Sequence, residues 1–117
     1  MAIPGGTSGD EVLTRSVVNI TSSSETALIT GSSNNVYSIL SILVCETAGN
    51  AETFSLAIDA SNAGTDYVLI KDQALGAKET FALNETIVMS GTDRLHITAG
   101  GSCAISIYVS YVRQNFT

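Results

Sequence analysis

His96 is the only histidine in the chain, so a metal site built on imidazole would need Asp, Glu or Cys donors to complete it. Its neighbours Leu95 and Ile97 are apolar and must point to the other side of a strand, which places His96 on a solvated or sheet-surface position. A Ser-His-Asp triad can be drawn from any serine-rich chain with one histidine, but the sequence has no Gly-x-Ser-x-Gly elbow to hold the nucleophile. The segment from Asp59 to Asp66 offers two carboxylates and Gly64, yet Ser61 and Ala63 break the Asp/Asn pattern of a calcium loop, so a plain turn accounts for it. Gly100-Gly101 precedes a strand pattern rather than a helix and reads as a hairpin turn, not a phosphate cradle. Cys45 and Cys103 lie in or beside apolar strand patterns, where cysteine acts most often as a small buried hydrophobe. With no visible secretory signal they argue only weakly for a disulfide, and Asn19, Asn84 and Asn115 argue equally weakly for glycosylation. No catalytic residue, cofactor or metal is expected from these groups.

Composition narrows the function classes further. Eleven acidic against five basic residues give a net charge of −6. Arg15, Lys71, Lys78, Arg94 and Arg113 are scattered, so the chain repels phosphate backbones and nucleic acid is not an expected partner. The longest apolar run, Ile39 to Cys45, is interrupted by Ser41 and is too short to cross a bilayer, so no membrane partner is expected either. Charged residues make up only 14%, and Ser, Thr, Asn and Gly take their place. A weakly charged polar surface of that kind suits contact with other chains.

The elements that must position these residues are strands. Residues 1–10 are small, flexible and contain the only proline, and are expected to form an N-terminal arm ahead of a domain spanning 11–117. From Glu11 onward, short β-branched and aromatic runs alternate with turn clusters, which predicts eight or nine strands near 11–20, 25–30, 35–46, 52–59, 66–71, 78–83, 86–89, 93–98 and 103–113. Lys71 to Lys78 could add one short helical turn. Phe54, Leu56 and Ile58 share one face of their strand, Leu95 and Ile97 one face of theirs, and Cys103, Ile105, Ile107, Val109 and Tyr111 one face of the last. Such half-buried strands predict an all-β, two-sheet antiparallel sandwich, because a parallel sheet would need crossover helices.

One strand breaks the pattern. Between Val36 and Cys45 the even positions supply Val36, Leu40, Ile42 and Val44, and the odd ones Tyr37, Ile39, Leu43 and Cys45, so both faces are apolar. A sandwich hides only one face of each sheet, so the other is expected to be covered by a loop, the arm or another chain. Tyr37, Ile39, Leu43 and Tyr108, with Ile3 and Pro4 of the arm, are the expected subunit-interface residues.

The stretches Val36-Tyr37-Ser38-Ile39-Leu40-Ser41-Ile42-Leu43-Val44, Thr53-Phe54-Ser55-Leu56-Ala57-Ile58, Gly76-Ala77-Lys78-Glu79-Thr80-Phe81, Ser90-Gly91-Thr92-Asp93-Arg94-Leu95-His96-Ile97 and Ile105-Ser106-Ile107-Tyr108-Val109-Ser110-Tyr111 resemble small virion proteins of tailed bacteriophages. The resemblance implies a jelly-roll-like sandwich that decorates or cements a capsid without enzymatic activity. It further implies a homo-oligomer, commonly a trimer, that meets the major capsid protein or another virion protein in a particle assembled in the host cytoplasm. The alternative it leaves open is a tail-fibre or head-fibre attachment module that binds a receptor. Against this, the chain has no Trp and four Tyr, of which Tyr67 alone lies near the 59–66 or 90–93 loops, and sugar platforms need exposed aromatic rings.

Overall fold

A computed structural model describes residues 9–116. The expected arm residues Ile3 and Pro4 lie outside that range. Nine strands follow in order: β1 (Gly9–Ile20), β2 (Thr26–Thr30), β3 (Asn35–Glu46), β4 (Glu52–Asp59), β5 (Asp66–Leu75), β6 (Thr80–Leu83), β7 (Ile87–Ser90), β8 (Arg94–Ala99) and β9 (Ile105–Phe116). They form two antiparallel sheets. The larger runs β1-β9-β3-β6, with β7 pairing the first half of β3 and β6 the second, and the smaller runs β2-β8-β4-β5. β1 to β4 alternate between the sheets and β9 returns between β1 and β3, which is jelly-roll winding.

The inner faces follow the alternation in the sequence. Phe54 and Leu56 of β4, Leu95 and Ile97 of β8, and Ile105, Ile107 and Val109 of β9 are buried, and Cys103 and Tyr111 pack half-buried against them. Phe54 meets Phe81 from the opposite sheet edge-on, with ring centroids 5.4 Å apart, an arrangement that aromatic quadrupoles favour.

β3 has one inner face, and a bulge explains why it reads as two. Its pairing with β9 shifts between Ile39 and Ser41, leaving Leu40 as the extra residue. An inserted residue reverses the period-two parity, so odd positions face inward before the bulge and even positions after it. Tyr37 and Ile39 therefore lie in the core beside Ile42 and Val44, with exposures of 4%, 0%, 0% and 0%. This corrects the expectation that Tyr37 and Ile39 share an outward face with Leu43. The Tyr37 hydroxyl is satisfied at the sandwich end by accepting the Ser32 N–H at 3.0 Å.

The expected helical turn at Lys71 to Lys78 is absent. β5 instead continues through Asp72, whose left-handed φ of 48° marks a bulge, and the Ser55 hydroxyl accepts the Asp72 N–H at 2.9 Å. The chain then reverses at Gly76 to Glu79, where the Glu79 carboxylate accepts the Gly76 N–H at 2.6 Å. A 3-10 turn at Ala60–Asn62 fills the segment read as a plain turn.

Glycine is obligatory at one crossing. Gly31 donates its N–H to the Asp93 carbonyl at 2.9 Å, and a Cβ there would overlap the carbonyl oxygens of Gly91 and Asp93. The β2–β3 and β7–β8 connections can touch only because the side chain is missing.

Candidate functional site

The outer face of the larger sheet is built from whole rows of paired residues. Val17 opposes Tyr108, Tyr108 opposes Leu43 and Leu43 opposes Ala82, so one row crosses β1, β9, β3 and β6. A second row runs Leu13, Val112, Ser38 and Val88. Leu40, extruded by the bulge, lies between them. Of these, Leu13, Val17, Leu40, Leu43, Val88 and Tyr108 are all exposed, Leu13 by 72%. They present on the order of 500 Å² of apolar surface, at the upper end of what a monomer's surface leaves contiguous. Covering it would be worth about 12 kcal/mol before the costs of association.

Relief and charge distinguish this face further. A groove of about 350 Å³ runs between Val17, Leu43, Cys45 and Tyr108. Arg15 is exposed at the centre, between Leu13 and Val17, and makes no ion pair among the described residues. Glu11, at one end, accepts a hydrogen bond from the Gln114 amide at 3.2 Å.

Leu43 and Tyr108, two of the residues expected at an interface, thus stand side by side in the open. Tyr37 and Ile39 are on the other side of the sheet, within the core. Leu13, Val17, Leu40 and Val88 were not singled out from sequence. The signal for Leu13 and Val17 is weak because β1 carries apolar residues at both parities, Val12 and Val18 among them; that for Leu40 depends on knowing of the bulge.

Two groups of titratable residues lie elsewhere. Glu46 keeps the inward parity of Ile42 and Val44 but sits at the sandwich end, where it is 2% exposed. Its carboxylate accepts the backbone N–H groups of Gly49 at 2.8 Å, Lys78 at 2.9 Å, Ala48 at 3.0 Å and Asn50 at 3.1 Å. The Lys78 N–H, helped by those of Ala48, Gly49 and Asn50, holds the Glu46 pKa below its ordinary value although burial pushes the other way. With its acceptor capacity filled by two loops, Glu46 is a structural clamp. Nearby, burial and the charges of Glu52 and Glu46 push the Cys103 thiol pKa up. Cys45 and Cys103 are both free thiols.

The second group surrounds His96 on the outer face of the smaller sheet. The ring is on the sheet surface, as its neighbours imply, but it is only 3% exposed, which corrects the expectation of a solvated side chain. Its partner across the pair is Ala57, whose short side chain lets Asp66 of β5 reach the ring from the far strand. Asp66 Oδ1 lies 3.0 Å from Nε2, Glu25 Oε1 lies 3.5 Å from Nδ1, and Arg94 holds Glu25 Oε2 at 2.6 Å. In the 59–66 segment, Asp59 accepts the Gly64 N–H at 2.9 Å and so closes its own loop.

No family model matches the chain, and no curated protein sequence does. Solved structures match its fold. A subunit of Bacillus endospore appendages, described as a novel family of disulfide-linked pili, superposes with a TM-score of 0.57 at 8% identity, covering 100% of this chain and 98% of that one. A chain of infectious bursal disease virus Gx strain gives 0.56 at 15% identity, covering 92% of this chain; the chain spans only 32% of that viral protein. A chain from the acid-stable capsid of Helicobacter pylori bacteriophage KHP30 gives 0.51 at 9% identity, with coverage of 90% and 91%. What the chain shares with them is the all-β sandwich fold.

Proposed function

We propose that this chain is a non-enzymatic structural protein of a virion, a decoration or cement protein that stabilises a phage shell through contacts between copies of itself and with the major capsid protein. The carrying observation is the outer face of the larger sheet, where Leu13, Val17, Leu40, Leu43, Val88 and Tyr108 stand exposed to water side by side. Burial of that face drives association, and Arg15 supplies one fixed charge to set orientation on an otherwise acidic molecule. Leu43 and Tyr108 form the centre of the contact and Ile3 and Pro4 of the arm extend it. A closed trimer in the virion, assembled in the host cytoplasm, is the expected product. Support comes from the fold likeness to the bursal disease virus and KHP30 capsid chains.

The end-to-end match to the Bacillus appendage subunit favours a second reading, a subunit of an open fibre. Both readings assign the same face to a neighbour, and they differ in whether the contact closes. Light scattering behind gel filtration, followed by electron microscopy of the oligomeric fraction, tests the proposal: a discrete oligomer supports the shell protein and filaments support the fibre subunit. A strict monomer that also fails to sediment with shells of the parent particle overturns both.

A further inference from the structure

We propose that His96 and Glu25, with Asp66 behind them, bind a divalent transition-metal cation of the Zn²⁺ class on the outer face of the smaller sheet. Asp66 is an acceptor only, so its contact at 3.0 Å requires the ring proton to be on Nε2. In the neutral form of the ring this leaves a lone pair at Nδ1. That atom is buried with no hydrogen-bond partner, on a side chain 4% exposed, and it faces Glu25 Oε1 at 3.5 Å. Nδ1 and Glu25 Oε1 face each other across a gap that a proton or a cation must bridge for the contact to be favourable.

The dimensions suit a metal. At the usual distances of about 2.0–2.1 Å from nitrogen and oxygen, ligand atoms with this separation subtend about 115°, close to tetrahedral. Arg94 holds the other oxygen of Glu25, which fixes the carboxylate so that only Oε1 is offered. Asp66, accepting the Nε2 proton, would orient a metal-bound imidazole and raise its basicity. With the ring neutral, two carboxylates against one guanidinium leave the cluster net negative, and Glu25, 46% exposed, opens it to solvent. An imidazole–carboxylate donor pair selects borderline cations over Ca²⁺ or Mg²⁺, which require oxygen shells. Water would complete the coordination. A metal there would add a link between Glu25, beside the start of β2, and His96 of β8, two strands already paired through the backbone.

The test uses the full chain labelled with ¹⁵N-histidine, titrated with ZnCl₂ and followed through the ring nitrogen resonances. One equivalent is expected to move Nδ1 from the free lone-pair position to the metal-bound one while Nε2 keeps its proton, with CaCl₂ producing no shift. Because the readout is on the ring itself, zinc taken up by the thiols is not mistaken for it. By calorimetry, Glu25→Gln is expected to weaken the histidine-linked binding at least tenfold and Asp66→Asn about tenfold; neither change touches the core, so both variants should fold. The proposal is overturned if Nδ1 carries a proton at neutral pH and ignores zinc, or if Glu25→Gln binds as tightly as the parent chain.

Discussion

Leu43 and Tyr108 are direct partners across the β3–β9 ladder and both stand open to solvent, while Ile42, Val44, Ile107 and Val109 on either side of them are buried. One pair of strands thus carries the hydrophobic core on one surface and an uncovered apolar row on the other. Leu43→Asp is therefore expected to weaken association while shifting the melting temperature of the folded unit by only a few degrees, because surface substitutions usually cost within about 0.5 kcal/mol. Phe54→Asp places an unpaired charge at a site 1% exposed and is expected to abolish folding. Scanning fluorimetry with light scattering on both variants checks the assignment; equal thermal losses would reject it.

Ile39 and Tyr37 have the opposite prospect. Ile39→Ala removes buried methyl groups from a core position and is expected to cost about 2–4 kcal/mol of folding stability. Tyr37→Phe leaves the Ser32 N–H without its acceptor, a loss of about 1 kcal/mol. Neither should alter the dissociation constant of any oligomer that forms. Urea unfolding combined with sedimentation velocity separates the two effects.

The fold was readable because strands such as β4 and β8 keep strict alternation and the turns contain Gly, Asn and Ser clusters. The faces of β3 were not, since nothing in Ile39-Leu40-Ser41 announces a bulge, and one inserted residue inverts every later position. The result was an expected interface of which Leu43 and Tyr108 are exposed while Tyr37 and Ile39 belong to the core. The burial of His96 was hidden for another reason: it depends on Glu25 and Asp66, which lie 71 and 30 positions away in sequence and meet the ring only through the pairing of the smaller sheet (96 − 25 and 96 − 66).

Glu46 predicts the acid limb of stability. Its folded pKa lies below the ordinary value of 4.5, so ionised Glu46 binds its four N–H donors best and the folded state holds fewer protons there than the unfolded chain. That stabilisation is fully present above the ordinary carboxylate range and is lost as pH falls through the folded value. Glu46→Gln, which cannot ionise, should be less stable than the parent at pH 7, and the gap between the two should narrow as the pH is lowered below 4.5. Guanidinium unfolding at a series of pH values measures it; a gap that stays constant with pH would show that the charge contributes nothing.

Gly31 and Gly101 make a matched comparison of what glycine is for. At Gly31 an added Cβ would run into the backbone oxygens of Gly91 and Asp93, which cannot swing aside, and the Gly31 N–H bond to Asp93 would break as the loops separate. At Gly101 the same Cβ meets nothing within 4 Å. Gly31→Ala is therefore expected to lower stability by about 2 kcal/mol or more, as other backbone displacements at packed sites do. Gly101→Ala should be neutral or slightly stabilising, because alanine restricts the unfolded chain more than glycine does and the native backbone there lies outside the left-handed region. Chemical unfolding of the two variants side by side measures the contrast, and a Gly31→Ala protein as stable as Gly101→Ala would mean that the β2–β3 and β7–β8 connections are not in contact in solution.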